Sequence, residues 1–441
     1  MNSYESTIKK KMEKNHLSTI EINNFLYNYN KFIANDSPLI SSDDISNPDK
    51  LTNYSEMAEN YKNIGQENSN KAVIIKLNGG LGTSMGLKKA KSLLKVKNND
   101  TFLDIIAKQA EHKNIPLILM NSFNTQEDSL ELLKSYSKLQ NQNVPLDFLQ
   151  SKVPKIEADT GKPAGYSENL KLEWCPPGHG DIYTSLLTSG VLEKLLAEGI
   201  EYAFISNSDN LGATMDFKIL GYFADKQLPF LMEVAKRTES DKKGGHLAVK
   251  KDGQFILREK AQCPEEEMEI FQDYEKYTYF NTNNIWVNLK ALKTKLQKSD
   301  NNLRLPLIVN KKNINPRDEK SPQVVQLETA MGAAIEVFEH SEAICVTRDR
   351  FIPVKKTNDL LKIMSDLFYI DKNYNLVPVN IDISNQIVVD LDEKYYGKVD
   401  DFYANFSQCQ LILSECKKLK ITGNIKFCGK LKIFDEVVIE G

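Results

Sequence analysis

The sequence predicts an α/β protein: a mixed, mainly parallel sheet with helices between its strands, followed by a short parallel β-helix at the C-terminal end. Three observations carry the prediction. Short apolar runs ("AVIIKL", "IPLILM", "EYAFIS", "PFLMEVA") alternate with amphipathic stretches, which is the texture of strands joined by helices. The last stretch, "LKITGNIKFCGKLKIFDEVVIEG", repeats its apolar residues every six positions. A chain of 441 residues, 27% of them charged, is long enough for two or three domains with sizeable cores.

Taken in order, residues 1–70 are rich in Asn, Lys, Ser and Glu, and "IEINNFLYNYNKFI" has the spacing of a helix, so this part reads as an N-terminal helical segment. The sheet occupies 71–350. Within it, "FLDIIAKQAEHK" and "DIYTSLLTSGVLEKLLAEG" read as helices, the second stopped by Gly199. A linker is expected over 351–375 and a C-terminal domain over 376–441.

In that domain apolar residues fall at 419, 425, 431 and 437, and again at 421, 427, 433 and 439. Turn-prone Gly423, Gly429, Asp435 and Gly441 follow each pair. A six-residue step fits neither a helix nor ordinary hairpins, but it is one face of a parallel β-helix. Four hexads make little more than one coil, too little to bury a core unaided. The tail is therefore expected to pack on the preceding domain, as a monomer, or on a second tail in a dimer, with an open edge left over.

Composition narrows the function. A net charge of −3 gives no reason to expect nucleic acid or an anionic membrane as a general partner. The six cysteines lack C-x-x-C spacing, which suits reduced thiols in a cytoplasmic protein better than disulfides or zinc. "MNSYESTIKKKMEKNHL" has no apolar stretch behind its lysines, so it is not a secretory signal, and no run of apolar residues is long enough to span a membrane.

Four stretches carry chemistry. In "KLNGGLGTSMGLKKAKS" a buried strand runs into Gly79, Gly80, Gly82 and Gly86, then Lys88, Lys89 and Lys91. Glycines let main-chain amides approach anionic oxygens, and lysines supply compact positive charge. The spacing is neither that of a Walker A loop nor G-x-G-x-x-G, and the plainer alternative is a tight turn with solvated lysines. In "WCPPGHGDIYTSLL" prolines and glycines either present His179 rigidly to a pocket, or form a helix-entry turn with Asp181 as N-cap. In "FISNSDNLGA" a strand ends at Asn207, Ser208 and Asp209, where open α/β sheets bind ligands. A carboxylate there suits Mg²⁺ beside phosphates, against the alternative of an Asx turn. Read alone, Lys355 and Lys356 of "RFIPVKK" are surface charge, and "PEEEME" is a solvated acidic face.

Together these stretches resemble the eukaryotic-type UTP–glucose-1-phosphate uridylyltransferases, the UDP-glucose pyrophosphorylases. The likeness rests on "LNGGLGTSMG", "PPGHGD", "NSDNLGA", "KGGHL", "FNTNNIWVNLKAL", "VVQLETAMGAA" and "RFIPVKKTNDLL", in the family's order across about residues 70 to 370. It implies a Rossmann-like nucleotidyltransferase sheet over 71–350 and a left-handed parallel β-helix at the C-terminus. It also implies Mg²⁺-dependent conversion of UTP and glucose 1-phosphate to UDP-glucose and pyrophosphate. By the same resemblance Leu77, Asn78, Gly79 and Gly80 line the nucleotide, Lys91 reaches the triphosphate, Gln150 reads the uracil edge and Gly178 lies against the base. His179 contacts the sugar phosphate; Asn207, Ser208 and Asp209 meet the sugar and nucleotide, with Asp209 on the metal; Asn283 bonds glucose hydroxyls and Lys355 stabilises phosphate charge during transfer. The chain departs from the family where Lys89 and Ala90 replace Gly-Pro, where Lys155 replaces arginine, and in ending at Gly441.

Rival readings are the same chemistry on another sugar phosphate, a nicotinamide-dependent dehydrogenase, and a nucleotide-sugar sensor without catalysis. The absent G-x-G-x-x-G counts against the dehydrogenase.

Overall fold

A computed structural model describes residues 4–36, 39–242, 244–316 and 318–441. Lys243, which opens the "KGGHL" stretch, lies outside them. The chain divides into two compact units, each assembled from separated segments. Met1–Val73, Phe148–Ile205 and Asp216–Val346 form the first; Ile74–Asp147, Ser206–Met215 and Thr347–Gly441 form the second.

The first unit holds strands Thr52–Asn53, Glu342–Cys345, Phe230–Lys236, Tyr279–Asn288 and the Tyr202–Ile205 part of Tyr202–Asn207, side by side in that order. Glu342–Cys345 is parallel to both neighbours, whereas Tyr279–Asn288 is antiparallel to both of its own. This makes the sheet mixed, with four of these five strands pointing one way. An antiparallel ribbon of Ile45–Ser46, His246–Lys250 and Phe255–Arg258 extends it. In the second unit Ile74–Asn78, the greater part of strand Ala72–Asn78, runs parallel to Leu117–Asn121. All four apolar runs of the sequence are strands, because each is buried on both faces.

Helix Phe102–Lys113 forms where expected. Thr101 and Asp104 close a capping box at its start, and Asn114 ends it in the left-handed region. The stretch 181–199, by contrast, is two helices rather than one: Ile182–Thr188 and Val191–Ala197. The break is at Gly190, whose φ of 76° cannot continue a right-handed helix. Near the N-terminus, helices Glu5–Lys14 and Thr19–Ile33 bury Ile8, Met12, Ile22, Phe25 and Tyr29 with Val153, Ile156 and Leu327 in one apolar cluster.

At the C-terminus Val388–Leu391, Gln408–Thr422 and Cys428–Glu440 form a parallel three-stranded sheet. Leu419 stands opposite Val437 and Ile421 opposite Ile439, each pair three six-residue steps apart. Leu419, Ile421, Phe427 and Ile433 are buried, while the residues between the two predicted apolar series are mostly exposed. Gly423, Gly429 and Asp435, the expected turn positions, all have positive φ. At Gly423 the requirement is also steric, since a Cβ there would lie 1.8 Å from the Gly441 carbonyl oxygen.

All six cysteines are free thiols. No helix among the described residues is long and apolar enough to cross a membrane.

Candidate active site

The residues singled out by the sequence fall into two groups, one in each unit. In the second unit, strand Ala72–Asn78 ends at the glycine loop. The Asn78 side chain is turned inward, only 1% exposed, and donates to Asn121 Oδ1 and Ser129 Oγ, both at 2.8 Å. Its main chain, with Gly79 and Gly80, is what remains to line a ligand. Ser122 Oγ donates to the Gly79 carbonyl at 2.9 Å and so anchors the loop from the neighbouring strand end. Gly82 and Gly86 have φ of 63° and 77°, while a Cβ on Gly80 would meet nothing within 4 Å. The loop therefore has an open side.

The turn brings Lys91 back. Its N–H donates to the Gly80 carbonyl at 3.0 Å, and its ammonium reaches Asp209 Oδ2 at 2.6 Å. Lys89 instead pairs with Asp128 at 3.0 Å and Lys88 is exposed, so among these three lysines Lys91 is the one turned to the strand ends. Asp209 follows the strand Tyr202–Asn207, and the Ser208 N–H donates to the Leu77 carbonyl at 3.2 Å. The glycine loop and the "NSD" turn are thus adjacent strand ends, as a parallel α/β sheet places its ligand loops.

Asn210, which sequence reasoning passed over, bolts this turn to the segment before Lys355. Its amide donates to the Arg350 carbonyl at 3.1 Å and its carbonyl accepts from the Ile352 N–H at 2.8 Å. The Val354 N–H then donates to the Asp209 carbonyl at 3.2 Å. Gly212 permits the close approach: a Cβ there would lie 2.3 Å from the Asp349 carbonyl oxygen. Lys355 is exposed, its N–H donates to Asp359 Oδ2 at 2.8 Å, and its ammonium has no partner among the described residues. The motif alone read as surface charge; its placement beside Asp209 was the missing signal.

In the first unit, Gly178 adopts φ of 83°, and a Cβ there would lie 2.4 Å from the Thr329 carbonyl oxygen. The Gly180 N–H donates to that same oxygen, and the Thr329 N–H to the Pro177 carbonyl. The Met331 N–H donates to His179 Nδ1 at 3.0 Å, which leaves the imidazole proton on Nε2. Burial lowers the His179 pKa to about 4, so the ring is neutral at ordinary pH and offers Nε2–H as a donor. Asp181 stands at the N-cap position of helix Ile182–Thr188, but its side chain caps no helical amide: the carboxylate accepts from Ser151 and Ser185 instead. The stretch therefore combines a histidine fixed through Nδ1 with a helix entry at Asp181.

Gln150 is half-buried, and its side-chain amide has no partner among the described residues. Asn283 lies on a bulge where Glu233 pairs with Asn284 and Val234 with Asn281, and its φ is 58°. Its N–H donates to Asn281 Oδ1 at 2.9 Å, and Asn281 Nδ2 donates back to Asn283 Oδ1 at 2.8 Å. Behind the bulge the buried Glu233 carboxylate accepts from Asn284 Nδ2 and Trp286 Nε1, a support no local pattern announces. Asn207, at its strand end, is partly exposed. Lys155, in place of arginine, is buried and donates to the Ile314 carbonyl. Glu267 of the "PEEEME" stretch is not simply solvated: it accepts from Ser41, Ser42 and Arg258.

The family model described as UTP–glucose-1-phosphate uridylyltransferase matches residues 22–433. The UTP–glucose-1-phosphate uridylyltransferase of Saccharomyces cerevisiae is 41% identical over 392 residues, 87% of this chain and 76% of the yeast protein. The UDP-glucose pyrophosphorylase of Leishmania major superposes with a TM-score of 0.90 at 39% identity, covering 100% of this chain and 95% of that one. A mutant of the same Leishmania enzyme, in complex with UDP-glucose, superposes with a TM-score of 0.89 at 39% identity, over 100% of this chain and 95% of its own. The chain belongs to the UTP–glucose-1-phosphate uridylyltransferase family of nucleotidyltransferases.

Proposed function

We propose that the chain makes UDP-glucose by direct in-line transfer. A phosphate oxygen of glucose 1-phosphate attacks the α-phosphorus of UTP, the bond to the β-phosphate breaks, and pyrophosphate leaves. The overall reaction, UTP and glucose 1-phosphate giving UDP-glucose, follows from family membership. No protein nucleophile is needed. What the reaction requires is the alignment of two anions that repel each other and neutralisation of charge as it shifts to the leaving group.

The chain's residues divide that work. Main-chain amides from Leu77 to Gly80 crowd the triphosphate, and Lys91 and Lys355 neutralise it. Asn207 and Ser208 meet the sugar and nucleotide. Gln150 reads the uracil edge, with Gly178 against the base, His179 donates Nε2–H to the sugar phosphate, and Asn283 holds glucose hydroxyls. Asp209 fits Mg²⁺: one oxygen takes Lys91, the other has no partner among the described residues, and the side chain is 22% exposed. No cluster of three metal-binding side chains occurs among the described residues, which suits an ion that takes one carboxylate and completes its shell with water and phosphate oxygens. When bound, the ion supplies positive charge to the phosphates.

The observation that carries the reading is the convergence of the glycine loop, Asp209 and the Lys355 segment in one unit. Free thiols support a cytoplasmic setting. The three-step offset of the last strands supports a short β-helix, left-handed by the family resemblance, in the 376–441 domain. A pyrophosphate-release assay with UTP, Mg²⁺ and a panel of sugar 1-phosphates tests the function. Glucose 1-phosphate should give the highest kcat/KM; UTP binding without pyrophosphate release would end the proposal.

A further inference from the structure

Ser151 is held from two sides by carboxylates that belong to different elements. Its N–H donates to Asp181 Oδ2 at 2.7 Å, and its hydroxyl donates to Glu21 Oε1 at 2.8 Å. Asp181 Oδ2 also accepts from Ser185 Oγ at 2.6 Å, one turn along the following helix. Glu21 is itself fixed by a capping box with Ser18 at the start of helix Thr19–Ile33. Ser151 and Asp181 are buried, and a small cavity of about 50 Å³ beside Glu21, Ser151 and Asp181 leaves room for ordered water.

Burying a carboxylate costs solvation, and helix Ile182–Thr188 gains no cap from this one. The bond to Ser151 gives the burial a purpose. That N–H lies in the rigid plane of the Gln150–Ser151 peptide, which also contains the Gln150 Cα, so fixing it helps to fix the point from which the Gln150 side chain departs. Asp181 is also two residues from His179 and three from Gly178, in a loop pinned to Thr329. One carboxylate therefore locks Gln150 and the Gly178–His179 loop into a single geometry. Gln150 keeps its own amide unpartnered among the described residues, ready for a ligand's hydrogen-bonding edge.

We infer that Asp181, braced by Glu21 through Ser151, is a positioning residue that sets the selectivity for uracil. This rests on the reading of Gln150 as the group that meets the base. Uracil presents N3–H and a C4 carbonyl where cytosine presents a bare N3 and an amino group, so the two edges ask a glutamine amide for opposite orientations. A Gln150 main chain held in place lets the amide reach the uracil edge with both its groups; once the main chain is loosened those bonds weaken and the margin over cytosine shrinks.

The experiment compares native protein, Asp181→Ala, Asp181→Asn and Gln150→Ala for kcat and KM with UTP and with CTP, alongside thermal unfolding. Asp181→Ala should lower the UTP/CTP ratio of kcat/KM by about tenfold or more, chiefly through the KM for UTP. Asp181→Asn, whose carbonyl can accept the same N–H, should recover most of the ratio. A native ratio in a folded Asp181→Ala, beside a lowered ratio in Gln150→Ala, overturns the positioning role alone. A native ratio in Gln150→Ala overturns both the base-reading assignment and the inference built on it. Should Asp181→Ala fail to fold, Ser185→Ala and Glu21→Ala each remove one support; a lowered ratio in either sustains the role, and native ratios in both overturn it.

Discussion

Lys91 and Asp209, 118 residues apart in sequence, meet as an ion pair of 2.6 Å at the ends of adjoining strands, with side chains 15% and 22% exposed. Each holds the other in place at the strand ends. Under the function proposed above, Asp209 would hold Mg²⁺ and Lys91 the phosphates, so the two groups would exchange each other for these partners. The pair thus keeps both groups oriented before substrate arrives, which lowers the reorganisation needed on binding.

Lys91→Ala should therefore cost activity far more than stability. A partly exposed ion pair contributes at most about 1 kcal/mol to folding. The lost charge at the triphosphate should lower kcat/KM for UTP on the order of 100-fold. Parallel denaturation and kinetics check this; comparable losses in both would make the pair a structural strut.

Asp209→Ala should remove the Mg²⁺ dependence together with most activity. The measurement is uridylyl transfer against Mg²⁺ concentration. Native turnover at low Mg²⁺ in the variant would move the metal site elsewhere.

Lys355→Ala should abolish most transfer, on the order of 100-fold or more, with the fold intact, because the ammonium has no partner to lose among the described residues. Unchanged steady-state turnover would remove Lys355 from the mechanism.

How much of this was legible in the sequence depends on how local each cause is. The hexads were readable because each step repeats the same backbone, so Gly423, Gly429 and Asp435 reach positive φ where the period puts them. The glycine loop was readable because its glycines and lysines are neighbours. Gly190 looked like a residue inside one long helix, since apolar spacing continues across it; only its left-handed φ breaks the run. Asp181 looked like a cap because its true partner, Ser151, is thirty residues away. Lys355 looked like surface charge because Asn210, which bonds the segment before it to the Asp209 turn, lies in another motif. Side chains that act through distant partners leave no periodic mark.

Gly212→Ala tests that last connection. A Cβ would lie 2.3 Å from the Asp349 carbonyl oxygen and 2.9 Å from the Arg350 carbonyl carbon, and both are backbone. The Asp209 turn and the 349–354 segment must then separate. The expected loss is about 1–3 kcal/mol of stability, with a fall in kcat beyond what unfolding explains because Lys355 moves with the segment. Native kcat in the folded variant would mean that the segment does not position Lys355.

The loop that carries His179 and Asp181 should show an unusual pH behaviour. Burial lowers the His179 pKa to about 4, from an ordinary value of 6.5. Between those values the unfolded chain binds a proton that the folded chain refuses, so stability falls as pH drops through that window. Burial raises the Asp181 pKa to about 6, from 3.8, an effect only partly offset by the bonds from Ser185 and Ser151. Here the folded chain keeps a proton that the unfolded chain releases, so this contribution falls as pH rises from about 4 to about 6. Two residues apart, the groups oppose each other over the same range, and native stability should change little there on their account. Asp181→Asn removes one side of the balance. Urea unfolding at pH 4.5, 5.5 and 7 should show the variant losing stability on acidification relative to native protein, on the order of 2 kcal/mol across the range. Parallel pH profiles would mean that Asp181 takes up no proton on folding, and that its carboxylate is better solvated than its burial against Ser151 and Ser185 implies.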